Sequence, residues 1–129
     1  MSVRVHQSSE VPWTRISDMS NDTSVLNAEG ASSKIRYHER GSESELQLSE
    51  VDYAADVTVA PHSHDIPEVI YVVEGELHLG STVLPVGSSV FIDKDTTYSF
   101  RAGSEGLKML IFRPRGGAST FAKGRKLAT

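Results

Sequence analysis

Cysteine is absent from this 129-residue chain. That excludes disulfides, thiolate catalysis and zinc sites built on sulfur. Long apolar runs are missing too. No stretch approaches the roughly 18 apolar residues of a membrane-crossing helix, and the opening Met1-Ser2-Val3-Arg4-Val5-His6 has no apolar signal core. A soluble cytoplasmic protein with no membrane partner is the expectation. Positive charge is not in excess: 13 Lys and Arg stand against 17 Asp and Glu, for a net charge of −4. Phosphate backbones are held by clustered cations, so no nucleic-acid partner is expected. The one basic cluster, Lys123, Arg125 and Lys126, reads as part of a solvated tail. Helical patterning is also lacking, because no useful window repeats its apolar residues every 3.6 positions.

What the chain does have is short alternating strands. Val3 and Val5 alternate with polar residues and can form a first one, followed by the apolar knot Val11-Pro12-Trp13. Residues 20–24 and 29–33 read as turn or loop. Lys34 to Glu39, Glu45 to Tyr53, and Val57 to Val59 read as strands. Val69 to Val73 is β-branched or aromatic throughout; Glu74-Gly75 then reads as a tight turn, with Glu76 to Leu79 as the return arm of a hairpin. Thr82–Leu84, Ser89–Ile92, Tyr98–Arg101 and Leu107–Phe112 follow, and Pro114 with Gly116-Gly117 closes the core. Strands at this spacing indicate an all-β sandwich or barrel in one domain.

Chemistry concentrates in Pro61-His62-Ser63-His64-Asp65-Ile66-Pro67-Glu68. On an extended backbone residues i and i+2 share a face, so His62 and His64 present their imidazoles together. The flanking prolines disfavour helix, and Asp65 to Pro67 leave room for a bend that returns the Glu68 carboxylate. Two neutral imidazoles and a carboxylate form the ligand set of a facial triad, with coordination positions left open. Asp65 points away from that face; His6, His38 and His78 read as surface or, for His78, neighbour-facing residues. Ile70 and Val72 share parity with Glu68, and Phe100 with Tyr98, so all three are expected to line a mostly apolar small-molecule pocket.

These residues carry a resemblance. The first cupin motif runs Gly, five residues, His-x-His, three or four residues, Glu, six residues, Gly. Here Asp56, five residues, His62-Ser63-His64, three residues, Glu68, six residues and Gly75 stand in that order. Over residues 45–114 the chain resembles a small single-domain cupin. The resemblance implies a double-stranded β-helix, or jelly-roll barrel, at 45–114. Residues 1–44 would be an extended arm and strands packing on it, and 115–129 a C-terminal tail. The second motif departs: Gly87 is present, but Asp93-Lys94-Asp95 stands for Pro-x-Gly, Tyr98 for the fourth ligand histidine and Ala102 for asparagine. Three roles are open for Tyr98: no part in a centre with three protein ligands, a phenol or phenolate ligand, or a proton donor over the open face.

The resemblance implies one divalent transition metal ion held by His62, His64 and Glu68. Iron comes first, with zinc, manganese, nickel or copper as alternatives. A metal-dependent enzyme acting on a small oxygenated molecule is expected, with dioxygenase-type chemistry ahead. The alternatives are a non-oxidative isomerase, cyclase or lyase, and a non-catalytic small-ligand module. Small cupins are commonly homodimers, and Trp13 with the N-terminal strands is expected to pack on the neighbour.

Overall fold

A computed structural model describes residues 2–18 and 32–116, together with the backbone of strands at 118–121 and 126–128. Ten strands follow in order: β1 (Thr14–Arg15), β2 (Lys34–Glu39), β3 (Gln47–Tyr53), β4 (Thr58–His64), β5 (Glu68–Leu79), β6 (Thr82–Leu84), β7 (Ser89–Ile92), β8 (Tyr98–Arg113), β9 (Ala118–Phe121) and β10 (Lys126–Ala128). All pairings are antiparallel. Among the described residues no helix is long and apolar enough to cross a membrane.

β5 and β8 are the frame, because each belongs to both faces of the barrel. The first part of β5 pairs with β7 and with residues 107–112 of β8, and β3, β2 and β1 extend that sheet outward. The second part of β5 pairs with β6 and with residues 101–102 of β8, while the start of β8 pairs with β4, followed by β9 and β10. The two faces therefore meet along one bent strand pair. A single interior lies between them, filled by Val51, Val57, Ile70, Val72, Leu77, Phe100, Leu107 and Met109.

Alternation locates β2 and β7 to the residue. It divides β5 and β8 wrongly. The Glu74-Gly75 pair is no hairpin turn: β5 runs through it, with register shifts between Val72 and Glu74 and between Gly75 and Leu77. Gly75 has φ of 76°, and a Cβ there would run into the carbonyl of Gly106 on β8. Such a bulge bends a strand around a barrel without ending it. The expected strands Tyr98–Arg101 and Leu107–Phe112 are likewise one strand of 16 residues, β8.

The ends differ from expectation as well. Val3 and Val5 lie in no strand. Trp13 packs on its own chain, with the Arg36 guanidinium 4.5 Å from its ring centroid and Lys34 and Lys108 nearby. The expected solvated tail contains β9, whose residues pair with His62, Ser63 and His64 of β4. The turns expected at 20–24 and 29–31 and the cations Lys123 and Arg125 lie outside the described residues.

Gly75→Ala should lower stability by about 3 kcal/mol, from left-handed backbone strain plus the clash with β8. Urea unfolding checks this; a loss below about 1 kcal/mol would mean β5 can bend without that glycine.

Candidate functional site

β4 carries the histidines inward through an irregularity of its own. Val59 faces the core, and simple alternation would send His62 outward. The β4–β8 register shifts between Val59 and His62, and both His62 and His64 are consequently buried. His62 Nδ1 lies 2.9 Å from the Ala60 carbonyl within that bulge. A carbonyl only accepts, so Nδ1 carries the proton and Nε2 carries the lone pair. Asp95 N–H bonds the His64 carbonyl at 2.7 Å, which ties the loop before β8 to the same strand.

Glu68 begins β5 facing inward and is 2% exposed. Both its oxygens are engaged by β8, from opposite ends of that strand. Tyr98 Oη donates to Oε1 at 2.5 Å, and Arg113 Nε donates to Oε2 at 2.8 Å. The Arg113 fork also reaches Gln47 Oε1 at 3.3 Å, and Nη2 is 3.3 Å from each ring nitrogen of His64. His64 Nε2 is 3.3 Å from Tyr98 Oη and 3.6 Å from Glu68 Oε1. Because the Tyr98 proton points at Glu68, the His64 contact asks the imidazole to donate.

Protonation states follow from these neighbours. Burial would raise the Glu68 pKa, but the Arg113 charge, His64 and the Tyr98 hydrogen bond together hold it below the usual carboxylate value. Burial lowers His62, against the Ala60 bond, and lowers His64 to about 4 with the help of the Arg113 charge. Burial, then the Glu68 charge and hydrogen bond, push Tyr98 far above an ordinary tyrosine. At neutral pH the cluster is a carboxylate, a guanidinium, two neutral imidazoles and a protonated phenol.

Sequence reasoning brought together His62, His64, Glu68 and Tyr98, and the structure places all four at one end of the barrel. Ile70, Val72 and Phe100 face inward as alternation predicts, but they sit within the packed hydrophobic core. The Phe100 ring is stacked 6.1 Å from that of Tyr98. The surroundings of the cluster are more polar than the apolar pocket expected, since Arg113 and, bonded to it, Gln47 are buried there. Asp65 is exposed. His6 meets Glu39, His38 meets Glu50, and His78 meets Glu76 and Arg101, all away from the cluster. Arg113 was missed because alternation alone ends the last strand at Phe112, whereas β8 runs on to Arg113. Its parity with Met109 and Ile111 was the available signal.

Among the described residues no three His, Asp or Glu side chains converge closely enough, as they stand, to hold a metal ion. The donor chemistry nevertheless fits one. The imidazoles are neutral and the carboxylate ionised, and 3.6 Å between His64 Nε2 and Glu68 Oε1 can be bridged by two bonds of about 2.1 Å. What intervenes is the Tyr98 hydroxyl, so seating an ion requires that phenol to release Glu68 or to join as a ligand, and His64 Nε2 to give up the proton it donates to that phenol.

An RmlC-like cupin protein from Ralstonia eutropha superimposes with a TM-score of 0.75 at 14% identity, over 99% of this chain and 78% of the other. The fold is the cupin fold. An acetylacetone dioxygenase from Acinetobacter johnsonii gives 0.70 at 12% identity, over 99% and 84%. The polyketide cyclase RemF from Streptomyces resistomycificus gives 0.66 at 18%, over 100% and 86%. No protein-family model matches the sequence, and no curated protein matches it. Among these cupins the likeness is of backbone, and fold alone does not select a reaction.

Sign and window follow from the lowered values of His62, His64 and Glu68. The unfolded chain binds protons that the folded chain refuses, so stability is full above about pH 6.5. With a chelator present, melting temperature should fall continuously from about pH 6.5 to pH 4 and further as Glu68 titrates. A flat profile from pH 7 to pH 4 would contradict the buried neutral imidazoles.

Proposed function

We propose that this cupin is an enzyme acting on a small oxygenated organic molecule at the His62–His64–Glu68–Tyr98 cluster. In this reading His62, His64 and Glu68 hold one divalent metal ion, iron first. Such an ion would supply a Lewis acid with open positions for substrate or dioxygen. The observation that carries the reading is the burial of His62, His64 and Glu68 together, with His64 Nε2 3.6 Å from Glu68 Oε1, where burial keeps the imidazoles neutral and Arg113 keeps the carboxylate ionised.

The chain's own residues have distinct tasks. The Ala60 carbonyl holds the His62 ring in the tautomer that presents Nε2. Arg113 grips Oε2 of Glu68 and orients Oε1 toward His64 and Tyr98. Tyr98, kept protonated by burial and by Glu68, would donate a hydrogen bond to a bound oxygen atom. Val59, Ile70, Val72 and Phe100 belong to the dry core from which water is excluded. A homodimer belongs to the same reading. The outer row of Val69, Tyr71, Phe91 and Phe112, each at least 40% exposed, suits a neighbour better than Trp13 does.

Dioxygen chemistry leads because the similar folds include an acetylacetone dioxygenase. A non-oxidative cyclase or lyase is the second reading, favoured by the likeness to a polyketide cyclase. Elemental analysis tests the metal: about one ion per chain is expected, lost in His62→Ala and kept in Tyr98→Phe. Full occupancy in His62→Ala would refute the ligand assignment, and metal loss in Tyr98→Phe would make the phenol a ligand. Oxygen uptake by the iron-loaded protein, with acetylacetone as probe, separates the two readings.

A further inference from the structure

The two oxygens of Glu68 have partners of different kinds. Oε2 accepts from Arg113 Nε at 2.8 Å, in an ion pair whose two side chains are buried. Oε1 accepts from the neutral Tyr98 phenol and lies 3.6 Å from His64 Nε2. These partners differ in what their departure leaves behind. A displaced phenol leaves a neutral hydroxyl, whereas separating Glu68 from Arg113 parts two buried charges, which is far more costly. A cation that meets the carboxylate from the histidine side therefore gains Oε1 and leaves Oε2 with Arg113.

Arg113 is itself held in place. It ends β8 directly opposite Gln47 of β3. Nη1 donates to Gln47 Oε1 at 3.3 Å, and Gln47 donates its amide N–H to the Arg40 carbonyl at 2.8 Å, which fixes the orientation of that amide. Nη2 lies 3.3 Å from both ring nitrogens of His64. A nitrogen equidistant from both at that range cannot lie in the ring plane, where it would meet the ring carbons, so it rests on the face of the imidazole. One planar fork thus steadies His64 by its face and Glu68 by Oε2. A carboxylate can ligate an ion through one oxygen or chelate it through both. Held at Oε2, Glu68 has a single oxygen to offer.

We propose that Arg113 is a positioning residue that restricts Glu68 to ligation through Oε1 alone, so that the coordination position a chelating carboxylate would fill stays open for substrate. The proposal rests on the reading of His62, His64 and Glu68 as ligands of one divalent ion. Zinc on the full chain serves as the probe, and turnover is not needed. A carboxylate that chelates through both oxygens brings its carbon close to the ion, a distance that X-ray absorption at the zinc edge resolves. That short zinc–carbon shell should be absent from the wild-type chain and from Arg113→Lys, which keeps one charged donor for Oε2. It should appear in Arg113→Met. A purely structural arginine would leave the shell the same in all three. Nuclear magnetic resonance supplies a measurement that decides the matter on the wild-type chain if Arg113→Met does not fold. The Arg113 Nε–H signal, identified by its loss in Arg113→Lys, should exchange with solvent at a rate that zinc raises less than threefold. A larger increase would mean that zinc has taken Oε2 from Arg113, and the proposal fails. A short shell in the wild-type chain or in Arg113→Lys, or none in a folded Arg113→Met, overturns it too, while bound zinc leaves the ligand assignment standing. A wild-type chain that binds no zinc, or His62→Ala that binds it equally well, overturns the ligand assignment and this proposal together.

Discussion

A carboxylate 2% exposed stays ionised only if something replaces the water it has lost. For Glu68 that replacement is β8, which brings Arg113 to one oxygen and Tyr98 to the other. Residues 98 and 113 meet at one side chain because β8 crosses from one face of the barrel to the other. The bend needs Gly75 and Gly106 packed against each other, both at positive φ. Backbone curvature, strand pairing and site electrostatics are thus one constraint. His64 is buried with the Arg113 charge beside its ring, and both keep it neutral.

Much of this was legible. The spacing of His62, His64, Glu68 and Gly75 pointed to the fold and to the cluster. Two departures from the cupin motifs turn out to keep their geometry. Asp56 and Asp95 stand where glycines are expected and adopt φ of 62° and 59°. Aspartate tolerates left-handed backbone better than most residues, so the turns survive without glycine. Tyr98, where a fourth ligand histidine belongs, does lie in the cluster.

The illegible parts have physical causes. Alternation cannot distinguish a bulged glycine from a turn glycine, so β5 and β8 were each divided in two. The bulge at Ala60 and Pro61 keeps both Val59 and His62 inward, a parity that no regular strand permits. Arg113 was passed over because the last strand was expected to stop one residue short of it, at Phe112. Only closure of the barrel sets it beside Glu68. The polar interior is therefore a property of tertiary register, and no single strand announces it.

Glu68 and Arg113 sustain each other, and a double-mutant cycle measures that directly. Glu68→Gln, Arg113→Met and the double variant would be unfolded in urea with a chelator present. Each single change should cost about 3–5 kcal/mol, because it strands a buried charge. The double variant should fall short of the summed losses by about 2 kcal/mol or more. Losses that add to within about 0.5 kcal/mol would mean the two residues are energetically independent, and the barrel would have to be organised around something else.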